Sequence, residues 1–344
     1  MRKCVPELAL PPVHAMLRGI LVMGNIRQAF VLGAGLGTRL RPLTERVPKP
    51  MIPVWNKPLL TYAFDHLIAD VGVDSFMVNT HHCPEVYDED FPDGTYSGAA
   101  LTFRHEPVLL DTAGGIDNVR DWLPSGDDSF FVYNGDILTD LPLGPAIESH
   151  EKSGALVTMV LRSTGDALQV AWDEKSGRVA DIRTAIGAGA DLPRFQFTGI
   201  YLLRPAFLDL LTPGKIESVI LPFLTAIRDH DAVGGVVIDE GRWSDLGNRT
   251  SYLDASISLA KDAGFPRYGR SEAMQRIHPE AVIDPAAIVD DASVIGPGAV
   301  VEAGAEVRDS VLWPESRVAT GARITRGIVR DGQVAAGESR DQDF

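Results

Sequence analysis

Ala29-Phe30-Val31-Leu32-Gly33-Ala34-Gly35-Leu36-Gly37-Thr38-Arg39-Leu40-Arg41-Pro42-Leu43-Thr44, continued by Pro48-Lys49-Pro50, decides how most of this chain reads. A short apolar run enters a loop with glycines at 33, 35 and 37. Glycines let the backbone approach a phosphate chain closely, so that N–H groups serve as donors. Leu32, Gly33, Gly35, Gly37 and Thr38 are therefore candidate nucleotide contacts. Arg39 and Lys49 are the candidate catalytic cations, since positive charge must stay beside a phosphoryl group as it moves. Two other glycine loops are excluded. A P-loop requires Gly-Lys-Ser/Thr, whereas Gly37 is followed by Thr-Arg, and the dinucleotide fingerprint fails at Thr38.

The 344 residues, 45% apolar and 23% charged, are enough for two domains and a large core. A formal charge of −15 argues against nucleic-acid and anionic-membrane partners, which favour basic surfaces. Cations gather only locally, at Arg39, Arg41, Arg46 and Lys49. Two cysteines, Cys4 and Cys83, without paired metal spacing, fit a reduced, cytoplasmic protein. No apolar stretch approaches the roughly 20 residues that span a bilayer. Residues 1–25 read as an extension ahead of the first strand, with disorder an open alternative; prolines and charges interrupt any signal-peptide pattern.

Residues 26–262 alternate β-like runs with helical stretches, which predicts an α/β domain with a Rossmann-like, mostly parallel sheet. Strands are expected at 29–32, 75–79, 101–104, 129–133, 155–161, 198–203 and 235–238. Helices are expected at 58–69, 114–122, 143–152, 222–229 and 249–261. Crossovers of this kind put ligands at the carboxyl ends of strands, where the glycine loop and Asn134-Gly135-Asp136 both fall. From Ile277 the period becomes six: Ile277, Ile283, Val289, Ile295, Val301 and Val307 recur, each followed four places later by a small residue or valine. That hexad pattern predicts a short left-handed parallel β-helix over 275–336, of about three coils. The register is expected to decay after Leu312, leaving Trp313, Ala319 and Thr325 inward, and residues 337–344 read as a solvated, frayed tail.

The glycine run with Thr-Arg, Pro-Leu-Thr and Pro-Lys-Pro in fixed order resembles the signature of sugar-1-phosphate nucleotidyltransferases. The resemblance covers about Ile26 to Asp262. Asp136 ends a strand, where a carboxylate suits Mg²⁺. Trp243-Ser244-Asp245-Leu246-Gly247 matches the family's Trp-x-Asp-aliphatic-Gly element, which implies that Asp245 is the second metal carboxylate. The resemblance further implies a nucleotide segment from Glu106-Pro107 to Gly114-Gly115, with Glu106 at the base-contacting position. It implies a sugar pocket involving Asn134, Thr198 and Gly199. Where many relatives carry Glu-Lys-Pro, this chain has Val179-Ala180-Asp181-Ile182-Arg183-Thr184, so Arg183 is the expected substitute cation and Asp181 the expected hydroxyl contact. His81-His82 read as structural or cleft-edge groups, because adjacent side chains diverge.

The implied reaction joins an NTP to a sugar 1-phosphate and releases pyrophosphate. In layout the chain resembles mannose-1-phosphate guanylyltransferases most, so GTP and mannose 1-phosphate are the first expectation. Uridylyl or thymidylyl transfer to another sugar phosphate stays open, as does a non-catalytic regulatory subunit that binds nucleotide-sugars. A bifunctional acyltransferase using His278 lacks the longer coil and inserted loop such enzymes need. The short coil points instead to a homo-oligomer, since its open ends need cover.

Overall fold

The computed structural model describes residues 26–344 except 272 and 273, so the expected N-terminal extension lies outside the described residues. Gln28–Leu32 runs through the middle of a ten-stranded sheet, parallel to Ser75–Thr80 on one side and to Phe130–Asn134 on the other. Ala99–His105 continues the parallel set beyond Ser75–Thr80. The two faces are read by alternate residues. Ala29 and Val31 pack with Leu60, Phe64 and Leu67 of the helix Leu60–Val71, whereas Phe30 packs with Ile116 of Asp111–Asn118 and the cluster that holds Phe223 of Ile220–His230. Burial on both faces is what makes such strands continuously apolar.

Beyond Phe130–Asn134 the direction reverses. Arg194–Leu203 inserts antiparallel between Phe130–Asn134 and Val157–Arg162, with a register break between Phe197 and Tyr201 around Gly199, whose φ is +84°. Leu168–Asp173 and Arg178–Ile182 form an antiparallel pair that the sequence reading leaves out. Both are half-exposed at one end of the sheet, where no sustained apolar run advertises a strand. Among the described residues no helix is long and apolar enough to cross a membrane.

The C-terminal region is a coil of three parallel sheets. Ile283 lies beside Val301 and Val301 beside Val318; Val289 lies beside Val307 and Val307 beside Ile324. The expected decay of register is corrected here. The inward row continues through Leu312, Val318, Ile324 and Val329, all at most 1% exposed. Two intervals, 307 to 312 and 324 to 329, are five residues rather than six, and Asp309 and Arg326 turn the shortened corners at φ 45° and 54°. Trp313 leaves the coil's own core and packs against the first domain. Its indole N–H donates to Tyr252 Oη at 2.9 Å, and Tyr252 donates to the Pro53 carbonyl at 2.6 Å. Tyr252 belongs to Arg249–Lys261, a helix opened by a reciprocal Asn248–Ser251 capping box.

The tail is also corrected. Glu338–Arg340 pairs with Arg323–Thr325, and Phe344 exchanges backbone hydrogen bonds with Ile328 and Arg330 while packing on the coil core. Arg249 holds Asp343 at 2.6 Å and the Arg326 carbonyl at 2.6 Å, tying this last turn to the first domain.

The revised inward row is testable. Ile324→Ala should cost about 2–5 kcal/mol in denaturant unfolding. Thr325→Ala, on the neighbouring outward position, should stay within about 0.5 kcal/mol. Equal losses at the two positions would restore the six-residue register.

Candidate active site

The glycine loop leaves the carboxyl end of Gln28–Leu32, and Asn134-Gly135-Asp136 leaves the adjacent end of Phe130–Asn134. The two are stitched by Gly135 N–H donating to the Leu32 carbonyl at 3.0 Å. Beside them opens a cleft of about 540 Å³, lined by Leu32, Gly35, Lys49, Asn134 and Asp136 together with Asn79, Asp111 and Thr112.

Lys49 sits at the cleft floor. Its Nζ lies 2.6 Å from Asp136 Oδ2 and 3.1 Å from Asp245 Oδ1. Its side chain is only 7% exposed, against 34% and 42% for the two carboxylates. A two-stranded ribbon explains how acids so far apart in sequence meet. Trp243–Asp245 pairs antiparallel with Ile137–Thr139, which sets Asp245 opposite Ile137 and next to Asp136. The ribbon is anchored by Trp243, whose indole N–H donates to the Thr198 carbonyl at 2.8 Å.

Two carboxylates share one ammonium here, so one negative charge is left over. Asp136 Oδ1 and Asp245 Oδ2 make no hydrogen bond among the described residues. Hard oxygen donors with capacity to spare suit a divalent cation whose remaining ligands come from phosphate and water. Among the described residues no cluster of three or more His, Cys, Asp or Glu gathers to hold a metal by itself. The residues present therefore fit an ion shared with a phosphate substrate.

The glycines divide by role. A Cβ on Gly33 would meet the Asn79 carbonyl at 2.7 Å, so only glycine fits. Gly37, at φ +59°, packs against Lys49, whose Cβ would lie 3.0 Å from an added methyl. Gly35 alone of the three faces open space. Thr38 is exposed at the start of the turn Thr38–Leu40, outside the cleft lining. Arg39 is exposed and makes no ion pair among the described residues; its guanidinium lies against Gly247, two residues from Asp245. His82 Nε2 donates to the Thr44 carbonyl at 2.9 Å, and His81 Nδ1 lies 2.7 Å from the Glu106 carbonyl, so both histidines brace loops at the cleft edge.

Several expected contacts fall elsewhere. Glu106 is fully buried, with Oε1 accepting from Asn79 and Oε2 from the Leu110 N–H, so it cannot touch a base directly. Gly114 and Gly115 are buried as well. Gly114 donates its N–H to the Glu217 carbonyl, and an added Cβ would strike the Lys215 carbonyl at 2.6 Å; these glycines are spacers. The Thr198 hydroxyl donates to the Val160 carbonyl in the core, and Gly199 packs behind Asn134. Arg183 pairs with Gln169 on the outlying antiparallel strands and does not line the cleft. Asp181 is buried, both oxygens capping the N–H groups of Ile186 and Gly187. The sequence reading missed Asn79, whereas Asp111 and Thr112 lie inside the nucleotide segment it expected. For Asn79 a signal exists: a polar residue at the carboxyl end of a strand otherwise buried beside the glycine strand.

Residues 28–262 match the nucleotidyl transferase family. A mannose-1-phosphate guanylyltransferase of Mycobacterium tuberculosis is 31% identical over 74% of this chain and 71% of its own length. A UTP–glucose-1-phosphate uridylyltransferase of Synechocystis is 28% identical over 66% of this chain, which spans 62% of that relative. In three dimensions, a UDP-glucose pyrophosphorylase from Acinetobacter baumannii superposes with a TM-score of 0.58 at 19% identity, covering 71% of this chain and 96% of that one, which shows the fold. The chain belongs to the nucleotidyl transferase family, among the sugar-1-phosphate nucleotidyltransferases.

Proposed function

We propose that this protein transfers a nucleotidyl group from an NTP to a sugar 1-phosphate with release of pyrophosphate, and that GTP and mannose 1-phosphate are its substrates. The observation that carries the reading is the Lys49–Asp136–Asp245 cluster at the floor of a glycine-edged cleft. A sugar phosphate is already an oxyanion near neutral pH, so the site needs no covalent nucleophile. It must instead hold two polyanions in line and screen their repulsion.

Asp136 and Asp245 are the residues that would hold Mg²⁺, which when bound withdraws charge from phosphate oxygens. The buried Lys49 keeps the two carboxylates together and presents its charge to the incoming phosphate. Arg39, without a partner in the chain, is assigned to the triphosphate and departing pyrophosphate. Gly35, with open space above it, lets backbone approach the phosphates, and Asn134 faces the sugar phosphate. The choice of GTP rests on the 31% identity to a guanylyltransferase. A panel of four NTPs against several sugar 1-phosphates, read as pyrophosphate release, tests it; preference for UTP with glucose 1-phosphate would move the reading to the uridylyl branch.

On the same reading the nucleotidyltransferase domain spans 26–262, the coil 275–336 is a left-handed β-helix, and its first turn joins copies of the chain into a homo-oligomer in the cytoplasm. The supporting observation is that Val282 and Ile288 there are 59% and 49% exposed. Gel filtration at micromolar concentration showing only monomer would remove the oligomer.

Lys49→Ala and Asp245→Asn should each lower turnover at least about a hundredfold, or some 3 kcal/mol in barrier, with the chain still folded. Near-normal pyrophosphate release from both variants defeats the reading. Chelation with EDTA should abolish turnover and added Mg²⁺ restore it. Gly33→Ala should destabilise the fold by about 1–3 kcal/mol, whereas Gly35→Ala should leave thermal unfolding unchanged and raise the KM for NTP.

A further inference from the structure

We infer that Asn79 and Glu106 form a buried positioning pair whose hydrogen-bond direction sets the two walls of the cleft relative to each other; this rests on the nucleotidyl-transfer reading above. The chain of bonds is continuous. Gly33 N–H donates to Asn79 Oδ1 at 2.8 Å, Asn79 Nδ2 donates to Glu106 Oε1 at 2.8 Å, and Leu110 N–H donates to Glu106 Oε2 at 3.0 Å. Asn79 is 3% exposed and Glu106 not at all. One end of the chain is the glycine loop, and the other is the segment leading to Asp111 and Thr112 across the cleft.

The rest of the surroundings enforce the arrangement. The Gly33 carbonyl accepts from the Tyr87 hydroxyl at 3.0 Å, so this peptide is held at both ends. Burial keeps the Tyr87 hydroxyl far above its usual titration range, and it remains a donor. Gly115 leaves room for the pair, since a Cβ there would lie 3.0 Å from Asn79 Nδ2 and 3.1 Å from Glu106 Oε1. Among the described residues no Lys or Arg pairs with Glu106, and its side-chain oxygens accept only from Asn79 Nδ2 and the Leu110 N–H.

Direction is the testable property. Two backbone N–H groups point inward from the ends, so the pair must present an acceptor to each and still bond to itself. An amide at 79 with a carboxylate at 106 does this, and so does the reverse. Glu106→Gln alone turns a donor against a donor, and Asn79→Asp alone turns two carboxylates against each other. The double variant Asn79→Asp/Glu106→Gln restores every bond with its middle link reversed.

The experiment measures kcat and the KM for NTP by pyrophosphate release, with thermal unfolding alongside, for the full chain. Each single variant should lose at least about tenfold in kcat/KM, and the double variant should recover to within about threefold of the parent. A lowered melting temperature with unchanged kinetic constants in the singles, or a double variant whose loss is the product of the two, overturns the inference. Should a single variant not fold, the double decides: it must fold and turn over. A parent chain inactive with every NTP refutes the functional reading itself, whereas an active parent with silent single variants refutes only this pair.

Discussion

One ammonium between two carboxylates organises this molecule. Lys49 reaches Asp136 and Asp245 from a loop 87 residues before the first and 196 before the second. Like charges so close repel strongly unless a cation stands between them. The surrounding architecture can be understood as what delivers those three groups to one point. The central parallel strands supply the loop ends, the Trp243–Asp245 ribbon supplies the second acid, and Gly37 leaves room for the root of the Lys49 side chain.

The site's charge makes sense against the protein's overall acidity. A chain with a formal charge of −15 would repel a nucleoside triphosphate and a sugar phosphate at long range. Near the cleft the balance differs, because Arg39 has no ion-pair partner among the described residues and Lys49 is buried where solvent screens it weakly. Interaction strength there is set by local geometry and by dielectric rather than by net charge.

The coil is joined to the α/β part of the chain by more than a linker. Trp313, Val294, Val311 and Ile328 share one apolar cluster with Leu40, Leu43, Trp55 and Tyr252, and Leu40 and Leu43 flank the arginines of the signature loop. Arg330 of the coil lies 3.5 Å from the Pro42 carbonyl and from Glu45. The loop that presents Arg39 is thus braced from behind by the second domain.

Local signals determined much of this by themselves. Glycine spacing, a Pro-Lys-Pro step and a strand-end aspartate are short-range features whose chemistry does not depend on what packs nearby, and they marked Lys49 and Asp136, while the family resemblance of Trp243-Ser244-Asp245-Leu246-Gly247 marked Asp245. Hexad periodicity marked the coil for the same reason, until two five-residue corners at Asp309 and Arg326 shifted the row by one. Only the tertiary structure decided which way polar side chains point. Glu106, Thr198 and Asp181 carry groups suited to ligands, yet each has its hydrogen-bonding capacity consumed by neighbours distant in sequence or by a turn's own backbone. Asn79 shows the converse. Its role arises from Gly33 and Glu106, 46 and 27 residues away; the polar strand end is visible in the sequence, but the partners that sheet pairing brings to it are not.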